Sequence, residues 1–134
     1  MSQSNSILNI GYVGENFVSK YLIKNNYKIL ERNYHTRYGE IDIIASDRSS
    51  VVFVEVKVRN INSFVLPFEA VDLKKQKKII KTALIYLSKN KINLQPRFDV
   101  IGISYYTKNG SSFFKSINHI KNAFSLEDLN NEIF

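Results

Sequence analysis

Apolar residues recur at helical spacing in two segments of this chain and at strand spacing in five. Over residues 7–25, Ile10, Val13, Phe17 and Tyr21 form one stripe that Val18 and Leu22 widen, the pattern of an amphipathic helix. Glu15 lies at the edge of that stripe. Asn25-Asn26 closes the helix, since Asn tolerates the left-handed backbone that helix ends use. Strands are expected over residues 27–34, 40–45 and 51–58, the last two carrying β-branched residues at alternate positions. Ser46-Asp47-Arg48-Ser49-Ser50 reads as the turn between them. Pro67 precedes a second helix over about residues 68–90, with Ile79, Ile80, Ala83, Leu84 and Leu87 on one side and Lys74, Lys75, Lys77, Lys78 and Lys81 on the other. Residues 97–105 and 112–117 form a fourth and fifth strand around the turn Lys108-Asn109-Gly110, and a short C-terminal helix completes the series. The order αβββαββ predicts an α/β fold with a central mixed sheet of about five strands flanked by helices.

The second and third strands carry the chemistry. Gly39-Glu40-Ile41-Asp42-Ile43-Ile44 is followed by Val52-Phe53-Val54-Glu55-Val56-Lys57. A hairpin centred between Arg48 and Ser49 sets Asp42 opposite Glu55 and Glu40 opposite Lys57. Alternation then places these four on one face and Ile41, Ile43, Val54 and Val56 on the other. Two opposed acids about 5 Å apart repel and weaken a hairpin, unless a divalent cation lies between them. Mg²⁺ takes hard oxygen ligands from one or two carboxylates, with water and phosphate completing its shell. The carbonyl of Val56 could add one more oxygen. Such an ion stabilises charge building on a phosphate and acidifies an attacking water. Lys57, on the same face as Glu55, could orient that water or neutralise the phosphate in the transition state. The plainer reading makes Glu55 and Lys57 solvated residues of an outer face, with Glu40 pairing Lys57 weakly. Against it, Phe53-Val54-Glu55-Val56 is apolar enough to bury Glu55 in part, and a buried acid needs a partner or a metal.

Composition narrows the classes. The 134 residues make one domain with one core, here bounded at residues 1–124, with an acidic tail at 125–134. Before residue 125 there are 19 bases against nine acids, and after it three acids and no base, for a net charge of +7. A basic body attracts polyanions, nucleic acid being the commonest, though lysines also serve plain solubility. No apolar run approaches the roughly 20 residues that cross a bilayer, and the polar N-terminus has no secretory pattern. No membrane association is therefore expected. The absence of cysteine removes disulfides and thiolate metal sites and fits a cytoplasmic protein. Two histidines, His35 and His119, make a histidine-rich zinc site improbable. His119 reads as structural and His35 as a loop residue rather than a general base.

The chain resembles the YraN-like family of small predicted bacterial endonucleases, distantly related to archaeal Holliday junction resolvases. The resemblance rests on Gly11-Tyr12-Val13-Gly14-Glu15, on Asn33-Tyr34 leading into Arg37-Tyr38-Gly39-Glu40-Ile41-Asp42, and on Phe53-Val54-Glu55-Val56-Lys57-Val58-Arg59. It continues at Glu69-Ala70-Val71, Lys75-Gln76 and Arg97-Phe98-Asp99-Val100, over about residues 11–124. It implies a PD-(D/E)XK nuclease core in which Asp42, Glu55 and Lys57 form the metal-and-lysine signature. Glu15 matches an acid of the first helix that can hold a second metal or a water on it, and could equally be an exposed helical acid. Lys75 and Gln76 match positions able to contact the scissile phosphate, although a solvated basic face is the plainer reading of both. The sequence departs from the family at His35, where an Arg is expected, and at Phe64-Val65-Leu66-Pro67, which lacks a glycine after the Phe.

The resulting expectation is an endonuclease dependent on Mg²⁺ (or Mn²⁺) that hydrolyses DNA phosphodiester bonds, on branched or single-stranded DNA. Asp42, Glu55, Val56 and Glu15 would serve the metal, Lys57 the chemistry, and Arg37, Arg59, Lys74, Lys75, Gln76 and Lys78 the nucleic acid. Tyr34, Tyr38 and Phe64 are candidates for stacking on bases. A junction-cleaving enzyme would need two sites and hence a homodimer. The alternative is a nucleic-acid-binding module that keeps the fold and cleaves nothing.

Overall fold

The computed structural model describes residues 10–62 and 71–127. The order is α1 (Ile10–Lys24), β1 (Lys28–Thr36), β2 (Gly39–Ser46), β3 (Ser50–Asn60), α2 (Leu73–Asn90), β4 (Gln95–Lys108) and β5 (Ser111–Phe124). This is the expected αβββαββ succession. One five-stranded sheet has the strands in sequence order. β3 and β4 run parallel, with α2 in the connection between them, and every other neighbouring pair is antiparallel. Among the described residues no helix is long and apolar enough to cross a membrane.

β3 explains the layering. Val51 and Phe53 belong to a core with Ile79, Ile80, Ala83 and Tyr86 of α2. Val52 and Val54 belong to a second core with Val18 and Leu22 of α1. A central strand buried on both faces reads as a continuous apolar run, and the alternation of its side chains assigns one helix to each face. Glu55 follows two residues after Phe53 and therefore continues the α2 face. Lys57 continues it further.

The helices start and stop for local reasons. Asn26 has φ 72°, and Tyr27 N–H donates to Leu22 O (2.9 Å) while Asn26 N–H donates to Ile23 O (3.1 Å). These two bonds make the Schellman end that Asn25-Asn26 foretells, with Tyr27 and Leu22 in the same core. α2 begins at Leu73, later than the expected residue 68. Extended Asp72 caps it by accepting from Lys75 N–H at 2.8 Å. The expected segment 68–70 lies outside the described residues, as do 7–9 of the first helix, the variant Phe64-Val65-Leu66-Pro67, and 128–134 of the acidic tail. At the C-terminus, residues 126 and 127 turn helical.

Two expectations are corrected. The buried stripe of α1 is Gly14, Val18, Ser19 and Leu22, while Phe17 is exposed and stacks on Phe114 of β5. Gly14 sets this rotation: a Cβ there would lie 2.7 Å from Val58 Cγ2 and 3.1 Å from Ile103 Cδ1, so only glycine lets α1 settle this closely on β3 and β4. β5 is also longer than residues 112–117. Its register with β4 runs from Lys108↔Ser111 to Phe98↔Phe124. The pairing carries polar residues such as Ser116, Asn118 and Lys121 that show no apolar alternation. Asn109 (φ 53°) and Gly110 (φ 81°) form its turn, both left-handed as a two-residue hairpin requires.

Candidate functional site

The hairpin β2–β3 carries the expected register over part of its length. Ile43↔Val54, Ile44↔Phe53, Ala45↔Val52 and Ser46↔Val51 are paired about the anticipated centre. The ladder then stops, one residue short of Asp42 and Glu55. Ile43 and Ala45 join the α1 core and Ile44 the α2 core, as alternation demands, but Ile41 also joins the α2 core. Ile41 and Ile43 therefore do not share a face, contrary to expectation. The break falls on Asp42. In β1, Asn33 adopts φ 52°, between Arg32, paired with Ile43, and Tyr34, paired with Ile41. Left-handed backbone kinks a strand, and both strands change phase at this point.

Beyond the break the Asp42 side chain replaces the ladder. Its Oδ2 accepts the backbone N–H of Val56 at 2.8 Å. The Asp42 and Glu55 carboxyls lie close enough to shift each other's proton affinity, so the two acids are neighbours although they are not a ladder pair. Glu40 and Lys57 do not pair in the β2–β3 ladder. Glu40 instead faces His35 of β1, with its Oε2 3.1 Å from His35 Nδ1. His35 is thus a strand residue rather than a loop residue.

Burial defines the electrostatics. The Glu55 side chain is 13% exposed. Burial first, and then the Asp42 charge, push its pKa up to about 7, against the smaller opposing pull of Lys75 and Lys57. Asp42 is also raised, first by burial and then by Glu40, while the Val56 N–H and Lys75 resist. Glu15 is raised by burial and by Asp42, with Asn33 and Arg32 pulling the other way. Asp42 thus acts on both Glu55 and Glu15, but the two are not equivalent. Glu15 sits 3.8 Å from Arg32 Nη2, and no three His, Cys, Asp or Glu side chains converge on one point among the described residues. The close set is Asp42 with Glu55.

The basic residues surround this pair unevenly. Lys75, in the first turn of α2, places Nζ 3.4 Å from Glu55 Oε2, a contact the sequence did not disclose. Lys57 acts on Glu55 from two residues along β3, and Arg59 follows it, half-buried beside Ser104 of β4. Lys74 and Lys78 are exposed on α2. Gln76 is committed to its own helix, its Nε2 donating to Val71 O at 2.7 Å. Arg37 lies over the Tyr38 ring at 5.0 Å and donates to its hydroxyl at 2.9 Å, and Lys81 Nζ lies 5.7 Å from the same ring centroid. With cations over it, Tyr38 positions charge rather than offering a bare stacking face. A cleft of about 450 Å³ between the β1–β2 turn and α2 is lined by His35, Arg37, Tyr38, Glu40, Lys75 and Lys78, among others. Tyr34 packs edge-on against Tyr86 in the α2 core and is unavailable to bases. Phe64 lies outside the described residues.

Sequence reasoning passed over Arg32 and Asn33. Arg32 Nε and Nη2 are buried without a hydrogen-bond partner, and Asn33 makes the kink. The φ-tolerant Asn of Asn33-Tyr34 was the available signal. On β4, beside Val54 of β3, Asp99 is 0% exposed and fully bonded. Arg97 donates to both its oxygens (2.9 and 2.8 Å), His119 Nε2 lies 2.7 Å from Oδ2, and Asn122 N–H donates to Oδ1 at 2.9 Å. Burial alone would raise the Asp99 pKa, and these bonds outweigh it. His119 also meets the Tyr21 hydroxyl through Nδ1 at 2.9 Å. This network ties α1, β4 and β5 together.

The chain is similar to proteins from several bacteria. It is 47% identical over 116 residues to a UPF0102 protein of Caldanaerobacter subterraneus subsp. tengcongensis, covering 86% of this chain and 93% of that one. It is 48% identical over 116 residues to a UPF0102 protein of Clostridium botulinum, covering 86% and 93%. With a UPF0102 protein of Chlorobium chlorochromatii it shares 43% over 130 residues, covering 95% and 99%. Residues 14–103, from the glycine that seats α1 to the end of the site strands and beyond, match the model described as "Uncharacterised protein family UPF0102", and the chain belongs to that family.

Proposed function

We propose that this protein is a divalent-cation-dependent nuclease of the PD-(D/E)XK type, hydrolysing phosphodiester bonds in DNA. The observation that carries this reading is the buried Asp42–Glu55 pair. A folded protein gains nothing from bringing two carboxyls together in a site where both resist ionisation. The arrangement becomes favourable when a dication joins them. The residues fit Mg²⁺ or Mn²⁺. Asp42 and Glu55 would supply two oxygens, and strand geometry supports Val56 as a third donor. The N–H and C=O of a strand residue project to the same side, and the Val56 N–H already points at Asp42. Glu15, held by Arg32, would act on an outer water rather than on the same ion.

When bound, the cation would supply positive charge for the developing transition state and lower the pKa of a water. The remaining work falls to the chain. Lys57, beside Glu55 on the α2 face, would orient the nucleophile and neutralise the phosphate. Lys74, Lys75, Lys78 and Arg37 would hold the backbone to either side, with Arg59 prolonging the track along β3. A module that only binds nucleic acid would be served by the basic face of α2, but it would have no use for the acid pair.

Cleavage should be assayed on duplex, single-stranded, flap and four-way-junction DNA with Mn²⁺, alongside Mn²⁺ titration of the protein. Saturable binding that Asp42→Ala and Glu55→Ala abolish, with cleavage of at least one DNA form, is expected. Metal binding unchanged in both variants would refute the site. A strong preference for the junction would bring a homodimer with it.

A further inference from the structure

The first turn of α2 is Leu73-Lys74-Lys75-Gln76 and contains no acid. A helix N-terminus carries partial positive charge and favours anions. Lys75 therefore sits at the end of the helix that repels it, with Lys74 and Lys78 as further cations on the same helix. Its backbone is fixed, because Lys75 N–H is the group that Asp72 caps. Its side chain is not. It is 47% exposed, touches Glu55 through a single 3.4 Å contact, and borders the cleft that also holds Arg37, Tyr38 and Lys78. A four-carbon stem can turn its ammonium from Glu55 into that cleft without any movement of the helix.

Lys75 therefore lies between two kinds of anionic partner: acids of the protein, Glu55 in contact and Asp42 nearby, and a phosphate entering the cleft, whose lining includes one acid, Glu40. Resting on the reading of Asp42 and Glu55 as cation ligands, we propose that Lys75 is an exchangeable counter-ion. Its ammonium neutralises the acid pair while no dication is bound, and moves to a phosphate of the nucleic acid when a dication takes the pair. Ammonium and dication against Glu55 repel at that range, so each weakens the other's hold on the carboxylate. The displaced ammonium is then released toward the same end of α2 that attracts phosphate. Metal and nucleic acid thereby favour each other through one side chain, and linkage makes that coupling equal in both directions. The consequence is a site that loads its metal weakly until a phosphate backbone arrives.

The test separates Lys75 from its neighbours on the same helix. Mn²⁺ binding to the full-length protein without DNA is measured by titration for wild type, Lys75→Met, Lys78→Met and Glu55→Gln. Affinity for a short single-stranded oligonucleotide is measured in EDTA, where no cleavage competes. Lys75→Met should bind Mn²⁺ about tenfold more tightly than wild type. Lys78→Met, which removes the same charge without a contact to Glu55, should change it less than about twofold. In EDTA the order reverses. Lys78→Met loses oligonucleotide affinity, and Lys75→Met keeps nearly all of it, because that ammonium is engaged with Glu55. Equal Mn²⁺ gains in the two variants, or equal oligonucleotide losses in EDTA, would overturn the exchange. Mn²⁺ binding that Glu55→Gln abolishes but Lys75→Met leaves unchanged would overturn it while sparing the metal site. No Mn²⁺ binding by any variant would overturn both.

Discussion

Replacing Glu55 with glutamine removes one ionisable group from a site that resists ionisation, and the effect on stability should depend on pH. An unperturbed Glu titrates at 4.5, whereas Glu55 in the folded chain holds its proton to about 7. Between those values the folded state binds a proton that the unfolded state has released. Stability therefore falls as pH rises through this window and levels off above it. The separation of the two values corresponds to roughly 3 kcal/mol at about 1.4 kcal/mol per pH unit. The 13% exposure of the side chain and its contact with Lys75 leave little room for solvent to screen that cost. Glu55→Gln should thus be about as stable as wild type near pH 4.5 and more stable by about 2–3 kcal/mol at pH 8. Urea denaturation at the two pH values, without divalent ions, measures the difference. Adding Mg²⁺ at pH 8 should then stabilise the wild type and leave Glu55→Gln unmoved. A variant no more stable than wild type at pH 8, or one whose advantage is the same at both pH values, would refute the argument that these carboxyls are held together against their charge.

Three further outcomes follow from the same geometry. Lys57→Ala should lower cleavage by at least about a hundredfold while Mn²⁺ binding and DNA affinity stay within a few-fold of wild type; parallel loss of all three would make Lys57 a structural residue. DNA affinity should fall steeply with salt, and Lys74→Ala or Lys78→Ala should each reduce the slope of log affinity against log salt by about one, whereas a slope untouched by either would remove α2 from the interface. Gly14→Ala, whose new methyl would meet Val58 at 2.7 Å, should cost about 1–3 kcal/mol in thermal or urea denaturation, and a neutral result would show that α1 can shift away from β3 freely.

Much of this architecture was legible in the residues themselves. The double-sided apolar run of β3, the alternation in β2, the capping Asn26 and the Asn109-Gly110 turn are short-range signals, and each leaves a mark within a few positions. The pairing centre of the β2–β3 hairpin was readable as well, since four ladder pairs obey it. Glu55 and Lys57 were readable together by alternation along β3, whereas Asp42 reaches them where the ladder has already stopped.

What escaped the sequence depends on groups far apart along the chain. The kink that puts Ile41 and Ile43 on opposite faces arises where β1 and β2 change phase together, and each strand alone reads as regular. The Lys75–Glu55 contact joins a helix to a strand across 19 intervening residues, where no periodicity reaches. The close seat of α1 was hidden because Gly14 looks like a weakness in a helix until Val58 and Ile103 stand over it. β5 was underestimated because its strand character comes from a partner's backbone rather than from its own side chains. Local pattern determined which elements form and that Glu55 and Lys57 continue one face of β3; only packing between distant segments decided that Asp42 joins Glu55 beyond the broken ladder and that Lys75 meets them.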